Sequence, residues 1–269
     1  DKAFDWAAEA GLKILIDLHT APESQNGFDN GGICGVCKWA QSPERIERVL
    51  KVLEMLADRY GEKEALWGIQ LLNEPVSEPV WIHASKNYKP HNPERAKGSS
   101  FVPLSTLYDF YEKGYERLRA HMPEDKMVVF HDGFRFDAWH DFFTEHDFKN
   151  VILDAHWYLG MTPGGALGDC DLTYMEKILR DHAYNLEQME KVVPVVVGEW
   201  CLSHNLPEGM TDLEKQLSYR MIGDAQLSAW EHGTGYFFWS YNLISEPDGW
   251  DFRRCVEKGW MPSNVETGR

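Results

Sequence analysis

Short, almost unbroken apolar runs alternate along this chain with longer stretches of helical periodicity, and that rhythm restricts the fold to parallel βα units. Strands are predicted at 13–17, 66–71, 127–130, 150–154, 192–197 and 236–240. Each is nearly continuous in apolar residues, as expected when both faces are covered. Between them, helices are predicted at 43–60, 104–121, 172–190 and 212–232. The first places Ile46, Val49, Leu50, Leu53, Leu56 and Ala57 on one stripe, with Ser42 before Pro43 as its cap. Thr211 and Glu214 stand at capping-box spacing at the start of the last.

Six strands fall short of the eight in a closed (β/α)8 TIM-type barrel. The first ten residues read as the end of an amphipathic helix, so the expectation is a single catalytic domain over 1–269 that lacks its first two strands. A doubly wound open sheet is the structural alternative and needs no further strands.

With 269 residues, 43% of them hydrophobic, the chain is long enough to bury roughly three quarters of its extended surface. The formal charge is -16, and no stretch gathers a basic stripe. Nucleic acid and anionic membranes are therefore disfavoured as partners, whereas a neutral substrate suits that field. No apolar run approaches the roughly 20 residues of a membrane span. Five cysteines leave at least one unpaired within the chain. Cys34 and Cys37 read first as incidental loop thiols, with a disulfide or half a metal site as alternatives.

Two long loops, 19–42 and 73–101, follow predicted strands, where barrel proteins build their sites. The strand ends carry Asp17 and His19, Asn73 and Glu74, His131 and Asp132, His156 and Tyr158, Glu199 and Trp200, and Trp239 and Tyr241. Aromatic rings beside carboxylates, imidazoles and amides suit a sugar, whose faces are apolar and whose edge is hydroxylated. Glu74, followed by Pro75, and Glu199, preceded by Gly198, occupy equivalent points of the pattern. One is expected to protonate the leaving oxygen and the other to attack the anomeric carbon. Retention requires a separation of about 5 to 5.5 Å, and a gap of about 6.5 to 9.5 Å would point to inversion. Tyr158 is expected to donate to Glu199, His19 and His156 to bind sugar hydroxyls, and Trp239 to floor the sugar. The competing reading of His19, His131, Asp132 and His156 as metal ligands lacks a His-Glu-x-x-His pair. Phosphate-loop and Gly-x-Ser-x-Gly motifs are absent too.

The chain resembles glycoside hydrolase family 5, in particular its branch of exo-β-1,3-glucanases and related β-glucosidases. The resemblance is carried by Ile16-Asp-Leu-His-Thr-Ala-Pro-Glu-Ser-Gln-Asn-Gly-Phe-Asp-Asn30, Gly68-Ile-Gln-Leu-Leu-Asn-Glu-Pro75, Val129-Phe-His-Asp-Gly-Phe134, Asp154-Ala-His-Trp-Tyr158, Gly198-Glu-Trp200 and Phe237-Phe-Trp-Ser240, in order. It implies a (β/α)8 barrel, a retaining mechanism with no cofactor and no metal, Glu74 as acid/base and Glu199 as nucleophile. It also implies that Asn73 binds the sugar 2-hydroxyl, while His19, His156, Tyr158 and Trp239 complete the glucose subsite. The implied substrate is a β-glucan or other β-glucoside, met outside the cytoplasm. The chain departs from the family pattern at Thr20, Tyr241, Asn242 and Met161. The rival readings are a β-1,4- or β-1,6-glucanase or glycolipid β-glucosidase of the same family, and a non-catalytic carbohydrate-binding protein.

Overall fold

A computed structural model describes residues 1–159, 177–204, 206, 208–245 and 248–262. The chain divides into two compact units, Asp1–Leu153 and Asp154–Arg269.

In the first unit, α1 (Lys2–Glu9) leads into β1 (Ile14–Asp17), α2 (Pro43–Tyr60) and β2 (Leu66–Gln70). Two short helices follow, α3 (Glu78–Asn87) and α4 (Pro93–Ala96), then α5 (Leu104–Arg119), β3 (Met127–His131) and α6 (His140–Glu145). Strands β1, β2 and β3 lie side by side in chain order. Both pairings are parallel, with Ile16 opposite Ile69 and Ile69 opposite Val128. The crossovers through α2 and α5 make that direction possible. On α2 the predicted stripe is buried at Val49, Leu50, Leu53 and Ala57, while Ile46 and Leu56 stay half-buried. Gly114 of α5 allows close packing, since a Cβ there would stand 2.7 Å from Leu71.

Two expectations are corrected here. Ser42 occupies the N-cap with extended backbone but makes no side-chain capping bond. The N–H such a cap would satisfy, that of Arg45, donates instead to the Ser42 carbonyl at 3.0 Å. The segment 73–101 is not a plain loop, because prolines near the starts of α3 and α4 initiate helices without amphipathic periodicity. Asn92 caps α4 by accepting from the Arg95 N–H at 3.1 Å.

Strand β4 (Val151–His156) runs across the division. In the second unit a π-helical turn, Lys177–His182, precedes α7 (Ala183–Met189) and β5 (Val195–Trp200). Then come α8 (Asp212–Trp230), β6 (Gly235–Phe238) and α9 (Phe252–Glu257). The start of the helix predicted at 172–190 lies outside the described residues, as does Met161. Strands β5 and β6 pair in parallel, with an irregularity between Val197 and Trp200. The interiors of β2 to β5 are almost wholly buried. Strands β1 and β6 depart from the both-faces-covered expectation, and Phe237 is exposed. Within its unit each pairs with one strand, β1 with β2 and β6 with β5.

The capping box at α8 is formed in both directions, with the Glu214 N–H donating to Thr211 Oγ1 and the Thr211 N–H donating to Glu214 Oε2. Thr211→Ala is expected to lower the melting temperature by about 2 °C, readable by differential scanning calorimetry. Among the described residues no helix is long and apolar enough to cross a membrane. Cys34, Cys37, Cys201 and Cys255 are free thiols. Burial pushes the Cys37 and Cys255 thiols up to about 12 and raises Cys201 as well, which keeps all three protonated. Cys170 lies outside the described residues.

Candidate active site

The first unit gathers His19, Asn73 and Glu74 where β1 and β2 end. The Asn73 N–H donates to the Leu18 carbonyl at 3.0 Å, joining the two strand ends. Gln25 reinforces that junction from the following loop. Its Nε2 donates to the His19 carbonyl at 2.9 Å and the Asn73 carbonyl at 2.7 Å, and its Oε1 accepts from the Ala21 N–H at 3.0 Å. Asp17 Oδ2 stands 2.6 Å from His19 Nδ1. A proton on Nδ1 makes Nε2 of the neutral ring an acceptor, and Asn73 Nδ2 approaches it at 3.4 Å. Asn73 Oδ1 is buried with no hydrogen-bond partner among the described residues.

Glu74 is 5% exposed and has a left-handed backbone, φ 46°. Its Oε2 accepts from Asn30 Nδ2 at 2.9 Å. Burial, followed by the charges of Asp29 and Glu74, raises the Tyr88 hydroxyl above its ordinary value. At the end of β3, His131 Nδ1 accepts from the Gly133 N–H at 2.8 Å and Asp132 Oδ1 from the Phe134 N–H at 2.8 Å. These bonds build the turn after the strand.

The second unit gathers Asp154, His156, Tyr158 and Glu199. Glu199 is 6% exposed, and its Oε2 accepts from the Tyr158 hydroxyl at 2.7 Å. His156 Nδ1 faces the same oxygen at 3.6 Å. His156 Nε2 lies 3.1 Å from Asp154 Oδ2, and Asp154 Oδ1 accepts from the Gly198 N–H at 2.8 Å. The Trp157 N–H donates to the Glu199 carbonyl at 3.1 Å, so β4 and β5 are tied at the level of the carboxylate. Tyr158 follows the end of β4 and packs its ring 4.9 Å from that of Trp250. Trp239 follows β6, is 42% exposed, and donates its backbone N–H to the Trp200 carbonyl at 2.8 Å. The Trp239–Ser240 peptide is cis.

Asn30, Gln25 and Asp154 were not singled out as site residues from the sequence. Asn30 and Gln25 lie far from Glu74 and Asn73 along the chain, and the one available signal was the amide-rich run Ser24-Gln-Asn-Gly-Phe-Asp-Asn30.

Parallel strands joined by helices, with polar side chains held at the strand ends, define a protein of the (β/α)-barrel class. The chain belongs to the cellulase family, glycosyl hydrolase family 5, whose family model matches residues 1–243. A probable glucan 1,3-beta-glucosidase A of Aspergillus fumigatus is 30% identical over 98% of this chain and 64% of its own length. A glucan 1,3-beta-glucosidase of Yarrowia lipolytica is 28% identical over 97% of the chain and 64% of its own. The chain thus spans just under two thirds of the length of these curated relatives. In fold it is similar to the rutinosidase of Aspergillus niger, with a TM-score of 0.66 and 16% identity over 95% of this chain and 69% of that one. It is likewise similar to endo-glycoceramidase II of Rhodococcus sp., with a TM-score of 0.57 and 16% identity over 93% and 60% of the two chains.

Proposed function

We propose that this protein is a retaining β-glucosidase that releases glucose from the non-reducing end of β-1,3-glucan or its oligosaccharides. The chain is a single catalytic domain of the (β/α)8-barrel class, six strands of which lie among the described residues. The observation that carries the reading is the setting of Glu199, a buried carboxylate at a strand end that takes the Tyr158 hydroxyl and faces His156. Such contacts orient a nucleophile and hold its charge. Family membership and the names of the relatives favour a β-1,3-linked glucan.

In the first step Glu199 attacks the anomeric carbon while Glu74 gives its proton to the departing glycosidic oxygen. Glu74, now ionised, then takes a proton from water as that water displaces Glu199, so configuration is retained. Asn73 presents its buried Oδ1 to the 2-hydroxyl, His19 and His156 bind further hydroxyls, and Trp239 covers an apolar face of the sugar. No metal or other cofactor takes part in these steps.

Incubation with 2-deoxy-2-fluoro-β-glucosyl fluoride tests the scheme. A fluoroglucosyl adduct on the peptide containing Glu199 is expected by mass spectrometry, together with release of β-glucose from laminari-oligosaccharides. Labelling elsewhere, or release of α-glucose, would overturn the mechanism. Cleavage of β-1,4 or β-1,6 oligosaccharides with no action on β-1,3 substrates would overturn the linkage.

A further inference from the structure

We propose that the loop from Ser24 to Asn30 is a positioning device for the acid/base, in which Asn30 sets the orientation of the Glu74 carboxyl group. This deepens the reading of Glu74 as acid/base and rests on it.

The decisive feature is that the Asn30 amide has one sensible orientation. Its Oδ1 accepts from Asn26 Nδ2 at 3.0 Å, which leaves Nδ2 to donate to Glu74 Oε2 at 2.9 Å. A flipped amide would set a carbonyl against a carboxylate and two N–H groups against each other. Asn26 is fixed in the same way, because its Oδ1 accepts from the Phe28 N–H at 3.0 Å and from Ser24 Oγ at 3.3 Å. Ser24 Oγ in turn accepts from the Gly27 N–H at 3.0 Å. Ser24 and Asn26 are fully buried, so water does not compete for these bonds.

The backbone holds the relay from outside. Glu23 and Ser24 both have left-handed φ values, 64° and 57°. Arg95 of α4 clasps Glu23 with two bonds, Nη2 to Oε1 at 2.5 Å and Nε to Oε2 at 3.2 Å. That clasp keeps the Glu23 carboxyl below its ordinary value. The next residue is constrained too, for a Cβ at Gly31 would lie 2.0 Å from Asn26 Oδ1 and 2.5 Å from Ser24 Oγ. The side chains that pass the bond on, Ser24, Asn26 and Asn30, are a neutral hydroxyl and two neutral amides, while the Asp29 carboxylate beside them accepts the Asn30 N–H at 2.9 Å.

The chemical consequence concerns which oxygen carries the acid proton. An oxygen that already accepts an N–H is the poorer site for a proton, so Oε2 serves as the carbonyl-type oxygen and Oε1 as the one that gives its proton away. Loss of Asn30 removes the N–H that holds Oε2 as an acceptor, so proton donation suffers while the nucleophile's attack does not.

Leaving-group dependence separates this role from a merely structural one. Asn30→Ala is expected to lower kcat/KM for laminaribiose, whose departing sugar needs a proton, by about ten- to a hundredfold. For 2,4-dinitrophenyl β-glucoside, whose phenolate leaves unaided, the loss is expected to be at least about tenfold smaller. Asn30→Asp, which places a carboxylate against Glu74, is expected to skew the ratio of the two substrates in the same direction and further. Glu74→Ala, with azide added, reports on the underlying assignment: selective loss on laminaribiose and azide rescue with the aryl glucoside are expected. If Glu74→Ala loses both substrates equally and azide does nothing, the acid/base reading itself fails. If Glu74→Ala behaves as expected while Asn30→Ala slows both substrates alike, or neither, the positioning role of Asn30 is overturned and Glu74 keeps its assignment. Melting curves of the variants identify loss of folding, and the half-exposed setting of Asn30 makes folding of both substitutions the expected outcome.

Discussion

Glu199→Gln should retain its fold and lose roughly 10⁴-fold or more in kcat, because an amide cannot form the glycosyl ester. The substitution keeps the shape of the side chain and leaves an oxygen to accept the Tyr158 hydroxyl, so the local packing is conserved. What disappears is the negative charge opposite His156. Replacing one partner of a buried charged set alters stability through the partner left behind, and Asp154 remains within 3.1 Å to hold His156. The melting temperature should therefore change little. Steady-state assays on aryl β-glucosides, paired with calorimetry, measure both quantities. A variant turning over within tenfold of the parent would remove Glu199 from the chemistry.

Gly198→Ala should damage stability and activity together. A Cβ at this position would fall 2.0 Å from Asp154 Oδ1 and 2.5 Å from its Cγ, far inside van der Waals contact. The obstructing atoms belong to a buried carboxylate already bonded to the Gly198 N–H and to His156, so it has no easy route away. Either the Asp154 set breaks or β5 shifts, at a cost of about 3 kcal/mol. Movement of β5 carries the neighbouring Glu199 with it, and a displacement of about 1 Å is worth roughly a hundredfold in rate. Urea denaturation and kcat measured on the same preparation check this. Unchanged stability would mean that the strands slide apart far more freely than their bonding indicates.

The parts of the fold that sequence reading captured are those governed by local periodicity. Helix α2 spans 43–60 as its stripe requires, and the Thr211 capping box forms as its spacing implies. Strand β5 lies three residues later than predicted at each end, at Val195–Trp200. Its Gly-Glu-Trp end lies beyond the apolar run, because glycine and a charged residue dilute apolar content even where the backbone remains paired. Helices α3 and α4 escaped notice since prolines and caps start them, not an apolar stripe.

The site divides along the same line. Residues carried on strand ends, such as Asn73, Glu74, His156 and Glu199, stand out because chemistry-bearing side chains interrupt an apolar rhythm. The groups that hold them do not. Gln25 reaches Asn73 and Asn30 reaches Glu74 through contacts that exist only once β1 and β2 lie side by side. Nothing in the spacing of amides along a loop reveals which carbonyl or carboxylate each will meet.

The left-handed backbone of Glu74 has an evolutionary corollary. At φ 46° the Cβ of any L residue crowds the backbone, and glycine would settle there with less strain. Selection for heat tolerance alone would thus drift away from glutamate at this point, and the acid/base role proposed for Glu74 accounts for an acid kept in a place its own main chain resists.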